Sequence, residues 1–133
     1  MKDRHPVHLP YLAGLLICKA LLHIVAIANS YGLHRDEYLY LADGTSIFGS
    51  SEWAGKVPVL LIGLLSIWLI MVMVRELGGN QYAQLIAGAA WLLSPVYLGS
   101  NNLFQPVSFN QFCWLLVSLA WIRVINYQRP KNW

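Results

Sequence analysis

Along this chain, long uncharged intervals alternate with short charged ones. Between Lys56 and Arg75 lie eighteen residues, 57–74, with no charge and almost no polar side chain (VPVLLIGLLSIWLIMVMV). At 1.5 Å per residue they form a helix of roughly 27 Å, enough to cross the hydrocarbon core of a bilayer. From Leu77 to Ile122 there is no Asp, Glu, Lys or Arg at all. As a single helix this stretch would measure about 69 Å, twice what a bilayer needs, so it has to fold back on itself. Pro95, Gly99, Asn101, Asn102 and Pro106 mark where. The pattern predicts spans at 82–98 and 108–125, joined by a short polar turn. An earlier apolar stretch, 9–29, carries Lys19 and His23. With a charge at its centre and no small-residue cleavage site after it, it reads as a span and not as a signal peptide. The expected fold is therefore an all-α integral membrane protein with about four transmembrane helices in a single membrane domain, 1–133. A long loop, 30–56, separates the first two spans.

Composition agrees with this reading. The chain is 57% hydrophobic and 11% charged, against roughly 45–50% and about 25% in soluble domains. That wealth of large apolar side chains excludes intrinsic disorder. A net charge of +3, with scattered basic residues, gives no stripe for nucleic acid. Cys18 and Cys113 both lie in apolar stretches, one near mid-membrane and one near the outer face, so no disulfide is expected between them. There is no Gly-rich phosphate loop, zinc pattern or serine-nucleophile elbow. Trp68, Trp91, Trp114 and Trp121 read as packing and interface anchors.

Orientation follows from the distribution of basic residues. With the N-terminus inside, Lys2, Arg4, Arg75, Arg123, Arg129 and Lys131 are cytoplasmic, and only Arg35 and Lys56 lie outside. Both termini are then cytoplasmic in a multi-pass protein of the plasma or inner membrane. The 30–56 loop is external and holds Asp36, Glu37, Asp43 and Glu52.

The sharpest local feature of that loop is Tyr31-Gly32-Leu33-His34-Arg35-Asp36-Glu37-Tyr38-Leu39-Tyr40-Leu41-Ala42. After Asp36, Tyr38, Leu41 and Ala42 recur at helical spacing, which predicts a short amphipathic helix on the outer surface. Asp36 and Glu37 fall in its first turn, where the helix dipole favours acids. The pair can therefore be a helix cap, or it can carry chemistry. Lys19 and His23, four apart, share one face of the first span. Lys19 stands near mid-bilayer, roughly 15 Å from the inner end. The other three spans hold no acid, so Lys19 is either a lysine tolerated beside a water defect or a group whose partner lies on further helices or a lipid phosphate.

The run YGLHRDEYLYLADG resembles the first external loop of the GT-C membrane glycosyltransferases that use polyprenyl-phosphate sugars. Within that family it is closest to the aminoarabinose transferase and protein O-mannosyltransferase-like branch. Arg75-Glu76-Leu77-Gly78-Gly79 is similar to the cytoplasmic turn after the family's second span. Leu93-Ser94-Pro95-Val96-Tyr97-Leu98-Gly99 is similar to its third span, and Phe104-Gln105-Pro106-Val107-Ser108-Phe109-Asn110-Gln111 to its next external turn. The resemblance implies sugar transfer from a lipid-phosphate carrier to an acceptor at the outer face. It makes Asp36 the base or acceptor-orienting acid, supported by Glu37. A divalent cation is the one cofactor implied, held by Glu37 with His34 as a weaker ligand. Arg35, Asn110 and Lys19 are implied as substrate-binding residues, Arg35 because a guanidinium suits phosphate.

The chain departs from the family in three ways. A Gly-Tyr…Pro-Pro stretch of the first loop is missing after Asp43-Gly44. Asn110 stands where relatives carry an acid. Four spans are fewer than active members have. These departures make the chain a truncated N-terminal part, inactive alone, that works with a second membrane chain supplying the missing helices. The rival readings are a small non-enzymatic membrane protein that binds a larger membrane partner, and a transporter half.

The topology has a direct test. Cysteines introduced at Ser46 and Ser51 should react with a membrane-impermeant thiol reagent in intact cells, above the background of Cys18 and Cys113. Labelling at Asn80 but not at Ser46 would reverse the orientation.

Overall fold

A computed structural model describes residues 6–28, 52–94 and 106–127. They form four helices, α1 (Leu9–Ala28), α2 (Glu52–Glu76), α3 (Gln81–Leu93) and α4 (Pro106–Tyr127). Among the described residues there is no strand. Three of the helices, α1, α2 and α4, are long and apolar enough to cross a membrane. The chain is an all-α, multi-pass membrane protein. The surface helix expected after Asp36 lies outside the described residues.

α2 begins at Glu52, earlier than the apolar interval alone suggests, and runs through Pro58. Proline contributes no N–H, so the carbonyl of Ala54 loses its partner one turn back. α2 is apolar on every side: it packs against α1, α3 and α4 in turn, while Leu61, Leu65 and Trp68 stay exposed on the remaining face. On one flank Ile67 and Met71 meet Leu12 and Leu15 of α1 and Leu92 of α3. On another, Leu69 and Val72 meet Leu119 of α4, with Phe112 and Leu115 packed alongside. α1 also touches α3.

Local chemistry sets the turns. α2 ends in a Schellman motif: Gly79 N–H donates to Val74 O at 2.8 Å and Gly78 N–H to Arg75 O at 2.9 Å. Gly78 takes φ +85°, a conformation that costs an L side chain dearly. Asn80 then caps α3 by accepting from Ala83 N–H at 3.0 Å. α3 has thirteen residues, about 20 Å, and stops at Ser94. That residue is extended (ψ 122°), because the ring of Pro95 disfavours a helical residue before it. The remainder of the expected third span, 95–98, lies outside the described residues.

Two long-range contacts give the directions. Glu76 at the end of α2 meets Arg123 near the end of α4, at 3.6 Å, so these two helices run the same way. His8, just before α1, is bonded to Gln84 in the first turn of α3, so α1 and α3 also run together, opposite to α2 and α4. The end where α1 begins is called the near end below, and the other the far end.

Gly88 lets α1 and α3 close up. A Cβ there would stand 2.5 Å from Leu15 Cδ1, with Met71 and Ile67 just behind. Gly14, by contrast, faces open space. Gly88→Ile should lower stability by roughly 1–3 kcal/mol through overpacking. Gly14→Ala should leave it unchanged or raise it by about 0.4–1 kcal/mol. Thermal unfolding of both variants in detergent reads the difference, and equal effects would show that helix propensity and not packing governs this seam.

Candidate functional site

The chain leaves α1 at Ala28 and enters α2 at Glu52, both at the far end of the bundle. The connecting segment, which contains His34, Arg35, Asp36 and Glu37, lies outside the described residues. α4 also starts at the far end, with Pro106 as its first residue, a position where the missing N–H goes unneeded. Asn110 is the fifth residue of α4, roughly 6 Å along it, and its side chain is exposed. Ser108, one turn edge away, is buried instead. Asn110 therefore belongs to the helix and not to the turn before it, and it presents its amide at the end from which the acidic segment emerges.

His23 and Lys56 join at this end. The Nε2 of His23 lies 3.3 Å from the carbonyl oxygen of Lys56. A carbonyl only accepts, so the contact requires a proton on Nε2. It ties α1 to the first turns of α2 below the mouth of the long loop. Lys19, one turn further down α1, is almost completely buried, with 3% of its surface exposed. No hydrogen bond or ion pair holds it among the described residues. The expected set thus divides by depth: Asn110 near the far end, Lys19 near the middle, and the acidic run beyond the described residues.

The near end holds a second polar layer that sequence reasoning missed. The Gln84 side chain is wholly buried and binds the segment before α1 twice. Its Oε1 accepts from His8 N–H at 3.2 Å, and its Nε2 donates to Pro6 O at 3.3 Å. Asn126 Nδ2 donates to Glu76 O at 2.8 Å, satisfying a carbonyl at the end of α2. Together with the Glu76–Arg123 pair, this fastens α2 to α4. The signal for Gln84 was its spacing: Gln84, Gly88 and Leu92 recur every four residues and are the buried positions of α3. Cys18 and Cys113 are both free and exposed. Trp68, Trp114 and Trp121 are largely exposed, and Trp91 packs against the α1–α2–α3 core.

Among the described residues no group of three or more His, Cys, Asp or Glu could hold a metal ion. The sequence model of the dolichyl-phosphate-mannose-protein mannosyltransferases matches residues 38–133. The chain belongs to this family. It is a family of membrane glycosyltransferases, in keeping with the apolar helices. The matched stretch takes in α2, α3, α4 and Asn110, and starts just after Asp36 and Glu37. No curated protein matches the chain, and neither does any solved structure.

An exposed Asn110 bears no packing load. Asn110→Ala and Asn110→Asp should each shift unfolding free energy in detergent by less than about 0.5 kcal/mol, as surface substitutions generally do. A larger loss would mean that the amide is a structural tie.

Proposed function

We propose that the chain forms part of a membrane enzyme that transfers a sugar from a polyprenyl-phosphate carrier to an acceptor at the outer membrane face. The observation that carries this reading is the family match over residues 38–133. The family is named for a dolichyl-phosphate-mannose donor and a protein acceptor; for this chain the donor is taken as a lipid-phosphate sugar, with neither sugar nor acceptor specified. The far end of the bundle is the outer face, and both termini are cytoplasmic, as the distribution of basic residues argues.

Transfer with inversion needs a base to take the acceptor's proton as the sugar carbon is attacked, and cations to steady the departing phosphate. Asp36 is the base or acceptor-orienting acid. Glu37 supports it, or holds a divalent cation with His34. Arg35 pairs with the phosphate, its fork matching two oxygens at once. Asn110 lines the same end from α4; an amide can orient an acceptor but cannot remove its proton.

The test is turnover of polyprenyl-phosphate sugars in native membranes that contain the chain. Asp36→Asn should reduce turnover by about 10²–10⁴-fold, typical of losing a general base, while the protein stays in the membrane. Unchanged turnover would leave Asp36 and Glu37 as the cap of a surface helix. The purified chain alone should release no lipid phosphate in an acceptor-dependent way, and Asn110→Asp should not confer that activity. Release by the unmodified chain would show that these helices suffice.

A further inference from the structure

α4 joins the bundle along one side only. Phe112, Leu115, Leu119 and Asn126 hold it to α2, and among the described residues it touches no other helix. The opposite side carries a second stripe, Val107, Asn110, Trp114, Val117, Trp121 and Val124, each of them exposed. Their spacing alternates between three and four along the helix, which is the repeat of a two-helix seam. Two of these residues are out of place against lipid tails. Trp114 lies roughly 12 Å from the start of α4 and 20 Å from its end, well inside a hydrocarbon core of about 30 Å. Lipid-facing tryptophans belong at headgroup level, where water meets the indole N–H. Trp114 is 65% exposed, and its indole N–H has no acceptor among the described residues. One turn earlier, the exposed amide of Asn110 is likewise without a partner among them.

We infer that this stripe is the seam of a parallel homodimer, in which α4 of one copy packs against α4 of a second. Copies inserted in one membrane share their orientation, so the stripe meets itself in register about a two-fold axis. In a parallel seam each side chain enters a hole of four residues on the facing helix. For Trp114 that hole includes Asn110 of the other copy, whose side-chain oxygen can accept the indole N–H. The axis repeats the bond, so one sequence supplies both donor and acceptor at matching depth. Between membrane helices such polar contacts and close packing drive association. Area agrees with this occupant. A large aromatic side chain buries roughly 150–250 Å², so closing two such seams on each other removes on the order of 1,000 Å², about where specific interfaces begin. The contact joins folded chains in lipid; in detergent at one chain per micelle the stripe is open. This inference rests on the exposed side of α4 and stands apart from the sugar-transfer reading.

The experiment uses the full chain in lipid vesicles, with Cys18→Ser and Cys113→Ser removing the native thiols. In this background Val117→Cys should give a disulfide-linked dimer on mild oxidation, since facing seam positions bring Cα atoms within about 7 Å. Leu116→Cys, exposed but off the seam, should not. Energy transfer between labelled copies, followed on dilution with lipid, measures the association. Trp114→Phe and Asn110→Leu should each weaken it about five- to thirty-fold, with helix content by circular dichroism unchanged. Trp68→Phe, on the exposed face of α2, should leave it as it was. Monomers at every lipid dilution would overturn the inference, as would equal cross-linking at 116 and 117. So would a dimer indifferent to both Trp114→Phe and Asn110→Leu. In native membranes, cross-linking of the Val117→Cys chain to a protein of different mass, and never to its own copy, would assign the seam to another partner and equally overturn it.

Discussion

Inside hydrocarbon, a backbone N–H or C=O has no water to turn to, and everything in this fold answers that constraint. Helices satisfy their own amides, which is why the described residues contain helices and no strand. Several of the exceptions are closed by local contacts. The end of α2 folds its carbonyls into the Schellman turn, and Asn126 reaches across from α4 to take Glu76 O. Asn80 occupies a free N–H of α3. Side-chain hydroxyls within the spans do the same on a smaller scale: Ser66 and Ser118 each donate to the carbonyl four residues back, both at 2.8 Å.

Because lipid is as apolar as the helix surfaces, apolar area alone does not bring such helices together. Shape and buried polar contacts select the arrangement. Gly88 admits Leu15, and Gln84 grips the backbone at Pro6 and His8. The Glu76–Arg123 pair, with a half-exposed guanidinium, contributes little energy by itself, yet it fixes the relative direction of α2 and α4. Among the described residues α2 holds the centre and α4 touches α2 alone, so of these four helices α4 has the largest share of surface left for lipid or further protein.

Uncharged intervals were enough to predict the helices, because interval length maps directly onto bilayer thickness. The turn at Gly78 followed from the resemblance of residues 75–79, whereas the expected third span, 82–98, ran through Pro95 and α3 ends at Leu93. The start of α2 at Glu52 was not legible. The expected span began at 57 because the charge of Lys56 ends the uncharged interval, and only the fold shows the helix running four residues beyond Lys56, back to Glu52. Gln84 and Asn126 escaped for another reason: their partners stand 76–78 and 50 residues away, and periodicity carries no information on such pairings. The candidate site was legible in part. Asn110 could be assigned to the far end from spacing, but its exposure and helical setting needed the fold. Lys19 stood out at once as a charge in a span. The completeness of its burial came only from the packing of α1 against its neighbours.

The grip of Gln84 on the segment before α1 has a consequence in time. The two groups it binds are made more than seventy residues before Gln84 itself. At 5–20 residues per second, roughly 4–15 s pass between the synthesis of Pro6 and that of its partner. Throughout that interval the carbonyl of Pro6 and the amide of His8 must be held by water or headgroups near the membrane surface. α1 therefore enters the bilayer untethered, and its final seating waits for α3 to arrive.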